Sequence, residues 1–61
     1  MKITLKAARV NARCSQLDAS KQLGISRKTL QNYESGKTVP DWAMVRKIEK
    51  LYGVSIDNVI F

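Results

Sequence analysis

Residues 15–41 read SQLDASKQLGISRKTLQNYESGKTVPD, and end signals alone mark off two helices within them. Ser15 suits an N-cap, its hydroxyl accepting from an orphan N–H of a first helical turn, and Asp18 three residues on completes an acidic variant of the capping box. Leu17, Ala19, Ser20 and Leu23 supply the small and apolar side chains of a helix over about 16–23. Gly24 ends it, because the residue after a helix commonly takes a left-handed backbone that only glycine adopts cheaply. Ile25 alone separates that glycine from Ser26, the next N-cap. The following helix runs over about 27–35 with Leu30 and Tyr33 turned inward, and Gly36 stops it.

Two short helices joined by a break of glycine, apolar residue and cap form the pattern of a helix-turn-helix. Ser20 is small where the later helix crosses above it, and Ile25, Leu30 and Tyr33 anchor that helix. Its other flank, with Arg27, Lys28, Gln31 and Asn32, then faces outward. Upstream, Thr4 caps a first helix with Leu5, Ala8, Arg9 and Ala12 on one face. Downstream, Lys37 to Pro40 form a loop, and Asp41 caps a fourth helix whose Val45, Ile48, Leu51 and Tyr52 share a face. Gly53 ends that helix, Ser55 opens a last short turn, and Ile56, Val59, Ile60 and Phe61 close the chain. The β-branched residues of 54–61 also suit a strand, but Ser55-Ile56-Asp57-Asn58 reads better as a cap and a turn. The expectation is one domain over residues 1–61, an all-α compact bundle of about five short helices without repeats or linkers.

Composition narrows the function. A chain of 61 residues, 44% of them hydrophobic, buries only roughly 60% of its unfolded surface, so its core must be efficient. Cys14 has no second cysteine to pair with and reads as a small apolar plug rather than a reactive thiol. The absence of histidine excludes a Cys/His metal site and a Ser/His or Cys/His catalytic unit. No paired-acid cleft can be argued either, so neither catalysis, cofactor nor metal is expected. Eleven Lys and Arg stand against five Asp and Glu, a net charge of +6 and a pI near 9.9, the footprint of a nucleic-acid binder. A basic membrane-surface protein is the competing reading. MKITLKAARVNAR at the start lacks the apolar run of a signal peptide, and no stretch approaches a membrane span. A cytoplasmic setting, in a bacterial or phage-infected cell, and no membrane or small-molecule partner are expected.

Arg27 and Lys28 sharpen that reading. They sit at the positive pole of a helix dipole, which costs ~0.3–1 kcal/mol per cation. In a DNA major groove, guanine O6 and N7 offer paired acceptors, and one good bidentate contact is worth roughly 1–3 kcal/mol of discrimination. The gain exceeds the cost. Asn32, about one turn on, suits adenine N6 and N7 or a phosphate; Gln31 reads as a bystander with a phosphate or base-edge contact open.

The stretch resembles the helix-turn-helix of the phage Cro and cI repressors and the wider Xre family of transcriptional regulators. The shared marks are a Gln opening the second helix, the Gly-Ile-Ser turn, the Tyr-Glu-x-Gly-Lys ending of the third, Pro40 before the fourth, and the late Leu-Tyr-Gly-Val-Ser segment. The similarity covers residues 5–60 and implies a lambda-repressor-like domain. It further implies that Ser26, Arg27, Lys28 and Asn32 lie on the DNA-facing side of a recognition helix, and that Gln16 meets a phosphate through its amide and the adjacent backbone. The backbone near Lys37 and Thr38 would grip phosphate on the flanking strand. Arg9 and Glu34 would form a partly buried ion pair that positions these elements. Three positions depart from the family. Arg13 stands where relatives often have glycine, so either it takes a left-handed backbone or the first helix ends differently; a phosphate contact is a further role open to it. Ser20 replaces the more usual alanine, and Glu49 stands where a small residue is common.

The expected function is a sequence-specific regulator of double-stranded DNA, a Cro-like phage or prophage repressor. Ile56, Val59, Ile60 and Phe61, with Trp42, are more apolar than so small a body easily hides. They suggest a homodimer contact that sets two recognition helices about 34–36 Å apart, closure of the monomer's own core being the alternative. Other functional readings are an antitoxin or protein-interaction module on the same fold, and the DNA-binding part of a larger enzyme such as a recombinase, against which the start at Met1 and the compact ending speak.

Overall fold

A computed structural model describes residues 2–61. In chain order it contains β1 (Ile3–Thr4), α1 (Leu5–Asn11), α2 (Gln16–Leu23), α3 (Arg27–Ser35), α4 (Trp42–Tyr52), one 3-10 turn (Ile56–Asn58) and β2 (Val59–Ile60). The four helices begin where a short polar side chain can replace a missing intrahelical acceptor. Thr4, Ser15, Ser26 and Asp41 are all extended, and each accepts from the backbone N–H three residues on. Gly24, at φ 73°, makes the sharp exit from α2: its N–H donates to the Lys21 carbonyl and that of Ile25 to the Ser20 carbonyl.

Leu5, Ala8, Ala19, Leu23, Leu30, Ile48, Tyr52 and Val59 form the core, with Ile25, Tyr33 and Leu51 half-buried against it. Leu30 and Ile48 are fully enclosed. Ser20, buried in the same layer, is accommodated because its hydroxyl donates to the Leu17 carbonyl at 2.9 Å, which leaves no orphan polar atom where an alanine would have been dry.

The all-α helix-turn-helix fold holds with four α-helices rather than about five, and the tail accounts for the difference. Its last helix is a single 3-10 turn, and the segment that follows pairs in parallel with the start of the chain, Ile3 opposite Val59 and Thr4 opposite Ile60. β-Branched residues on both sides favour this extended pairing, although Ser55 still opens the turn by accepting from Asp57. Glu49, at a position read as suiting a small residue, accepts the Ile56 N–H at 2.7 Å and so fixes where the tail leaves α4.

Arg13 has φ 61° and is the one non-glycine residue with positive φ among those described. After α1 the backbone folds back tightly, Arg13 N–H donating to Val10 and Cys14 N–H to Arg9, and the left-handed conformation this requires costs an L-residue roughly 1–2 kcal/mol. Glycine avoids that cost but loses about 0.5–1 kcal/mol more backbone entropy on folding. Arg13→Gly is therefore expected to stabilise the domain by about 0.5–1 kcal/mol and to raise its melting temperature by a few degrees. A lower melting temperature would mean that the guanidinium makes contacts outweighing the strain.

Candidate nucleic-acid interface

The outer flank of α3 is polar because its inner flank is used up. Leu30 is wholly buried, and Tyr33 lies half-buried against the core. Ser26 is exposed, its hydroxyl accepting from the Thr29 N–H at 3.1 Å and sharing a hydrogen bond with the Thr29 hydroxyl at 2.9 Å. Its cap role leaves little of that side chain for a ligand. Arg27 and Lys28 are exposed, no acidic residue occupies the first turn, and neither cation enters an ion pair among the described residues. Gln31 and Asn32 are half-buried behind them.

A polar cluster ties this flank to the other helices. Arg9 Nε donates to Glu34 Oε2 at 2.7 Å, with both side chains almost fully buried, and Arg9 Nη1 donates to the Cys14 carbonyl at 2.9 Å. The other Glu34 oxygen accepts from Gln16 Nε2 at 3.1 Å, and Gln16 Oε1 accepts from Gln31 Nε2 at 3.4 Å. One carboxylate near the end of α3 thus joins α1 and the start of α2, and Gln16 carries the link on to Gln31 in the middle of α3. Gln16 keeps one amide hydrogen free, and of the first-turn N–H groups of α2 only that of Asp18 is taken, by the Ser15 cap, while those of Gln16 and Leu17 have no intrahelical partner. An anion at that helix end would find both.

The loop after α3 requires a correction. Its backbone was expected to grip phosphate, but the Lys37 and Thr38 N–H groups both turn back to the Asn32 carbonyl, at 3.0 and 3.3 Å. They close the last turn of α3 around Gly36, joining the Gly36 N–H on the same Asn32 carbonyl. What the loop offers outward is the exposed side chains of Lys37 and Thr38.

The apolar residues considered for a dimer contact fall into two groups. Val59 is buried in the core, and Ile56 is half-buried against it. Trp42 is 64% exposed, Ile60 51% and Phe61 37%, and the Arg46 guanidinium stands 5.8 Å from the centre of the Trp42 ring.

Tyr52 lies beneath the polar cluster. Its buried hydroxyl has no hydrogen-bond partner among the described residues, and its pKa is pushed up to about 12, chiefly by burial and then by the Glu34 carboxylate, against a lowering by Arg9 and with a smaller rise from Cys14. Removing an unsatisfied hydroxyl leaves no polar group stranded, so Tyr52→Phe is expected to be neutral or to stabilise by about 1 kcal/mol. The pH dependence has a definite sign. The folded state holds the phenol proton above the ordinary value of 10, so this contribution is fully present below pH 10 and is lost as pH rises from 10 through about 12. Denaturation across that window should show a steeper loss for the parent than for Tyr52→Phe; identical slopes would place the phenol in water.

Sequence reading did not find the Glu34–Gln16–Gln31 chain or the place of Tyr52 beneath it. A signal was available: Gln31 and Glu34 are three apart and so share one face of α3.

No helix among the described residues is long and apolar enough to cross a membrane. The helix-turn-helix family profile matches residues 5–59. Among curated proteins the chain is similar to Multiprotein-bridging factor 1c of Arabidopsis thaliana, 36% identical over 60 residues, which are 98% of this chain and 40% of that protein. An uncharacterized HTH-type transcriptional regulator of Methanocaldococcus jannaschii is 39% identical over 59 residues, 97% of this chain and 89% of the relative. The HTH-type transcriptional regulator ImmR of Bacillus subtilis is 38% identical over 56 residues, 92% of this chain and 44% of its own length. The chain therefore spans less than half of the plant and Bacillus proteins and most of the archaeal one. No solved structure matches it with significance. A profile match across nearly all the residues, and a relative of similar length, agree with the capped helix pair and its Gly24 turn: the chain belongs to the Xre-type helix-turn-helix family of DNA-binding transcriptional regulators.

Proposed function

We propose that the chain binds double-stranded operator DNA sequence-specifically, inserting the first turn of α3 into the major groove, and acts as a Cro-like phage or prophage repressor that excludes polymerase from its site. The observation that carries this reading is the pair Arg27 and Lys28, exposed and without an internal partner, on the free flank of a helix whose other flank is buried. Arg27, Lys28 and Asn32 read bases; Gln16, Gln31, Lys37 and Thr38 contact phosphates; Ser26 holds the helix start; Arg9 and Glu34 set the geometry. Two copies bind a two-fold site, with Trp42, Ile60 and Phe61 as the apolar contact.

Selection of bound sites from random duplexes tests the whole of this. The expected product is a defined motif with two half-sites one helical turn apart, bound with an affinity whose logarithm falls by about 0.9 per neutralised phosphate against log salt. A pool with no enriched motif would remove the sequence-specific reading, and a single asymmetric motif bound by one copy would remove the dimer.

A second reading, a protein-interaction module, is favoured by Val39 and Trp42, which are 71% and 64% exposed; the plant relative's name speaks of bridging proteins. A protein partner released by Trp42→Ala, together with no enriched duplex, would select it.

A further inference from the structure

The cations of this chain exceed what the outer flank of α3 employs. Gln22 and Leu23 at the end of α2 face Lys47, Lys50 and Leu51 of α4 across an open groove of about 440 Å³. Its floor is apolar, with Leu23 buried and Leu51 half-buried, while Lys47 and Lys50 are exposed. Neither lysine is in an ion pair among the described residues. They stand three apart on one helix, an arrangement of like charges that weakens a helix unless something anionic sits between them. The one carboxylate of α4, that of Glu49, is bonded to the tail through the Ile56 N–H.

The groove looks away from the proposed DNA face. Gln22 is six residues beyond Gln16, so its side chain emerges about 120° round α2 and roughly 9 Å further along its axis. A duplex backbone is uniformly polar and offers nothing to an apolar floor. An open trough is also a poor enclosure for a small molecule, which pockets normally bury almost entirely. Lysine stems flank such a floor well, with their ammonium groups left free for carboxylates.

We propose that this α2–α4 groove docks an acidic peptide segment of a partner protein, with an apolar side chain over Leu23 and Leu51 and carboxylates between Lys47 and Lys50. This surface is separate from the reading of α3 and stands without it. It would let the domain hold DNA and a protein partner together.

The probe is a twelve-residue peptide of glutamates carrying two leucines, titrated into the isotope-labelled chain and followed by amide resonances. Shifts should concentrate at Gln22, Leu23, Lys47, Lys50 and Leu51. Changing the peptide leucines to serines should weaken binding at least fivefold. The double variant K47Q/K50Q should keep the parent's melting temperature, bind the peptide at least tenfold more weakly, and keep the same salt slope toward duplex DNA. Shifts scattered over all basic side chains, indifference to the loss of the leucines, or no shifts at millimolar peptide would each overturn the proposal. So would a salt slope reduced by about 0.9 or more in K47Q/K50Q, since that would assign the lysines to phosphates.

Discussion

Glu34→Ala is expected to destabilise the domain by about 3–5 kcal/mol, because it leaves the Arg9 guanidinium charged, buried and without its counter-ion. Both side chains of the pair are almost fully enclosed, so water cannot make good the loss as it does at an exposed ion pair. A domain of 61 residues has a total stability of roughly 3–9 kcal/mol at typical values per residue. The variant should consequently be largely unfolded at room temperature or melt far below the parent, as circular dichroism will show. A loss under about 1 kcal/mol would mean that the pair is solvated in solution. The contrasting variant is R9M/E34L. Replacing both charges by apolar groups of similar volume removes the stranded ion and should recover most of the stability. Gln16, however, then lacks the acceptor that holds its amide beside Gln31, and operator affinity should remain reduced. Stability and binding would thus separate, marking Arg9 and Glu34 as positioning residues.

The second large effect concerns recognition itself. Arg27→Ala or Lys28→Ala should remove about 1–3 kcal/mol of discrimination at one operator position and leave preference at the others intact. The exposed position of both side chains, away from Leu30, means that folding should be nearly unchanged, so the effect reads binding alone. Competition between the selected site and its single-base variants measures it. If either substitution weakens every duplex equally and lowers the salt slope by about 0.9, that side chain belongs on a phosphate.

What could be read in advance was local chemistry. Thr4, Ser15, Ser26 and Asp41 cap helices, and Gly24, Gly36 and Gly53 end them, because a cap is decided by a handful of neighbouring residues. The burial of Leu30 and Ile48 followed from period. Arg13 was half legible: its place at a glycine position pointed to positive φ, but only the chain path after α1 decides it. The Lys37 and Thr38 N–H bonds were missed although they too are local, since Gly36 already implied a helix end that takes back the N–H groups following it. The β1–β2 pairing was beyond reach. Two residues show no alternation, and their partners lie almost the whole chain away. The Glu34–Gln16–Gln31 chain was hidden for a related reason, as its geometry exists only once α2 and α3 have packed.

That same β1–β2 pairing bears on the order in which the molecule assembles. Neighbouring helices can meet after closing short loops, whereas Ile3 and Val59 must close nearly the entire polypeptide, at an entropic cost that grows with the span. The helical scaffold therefore has reason to form first and the terminal clasp last. The first sub-global opening of the native protein would then part its two ends while α2 and α3 stay docked.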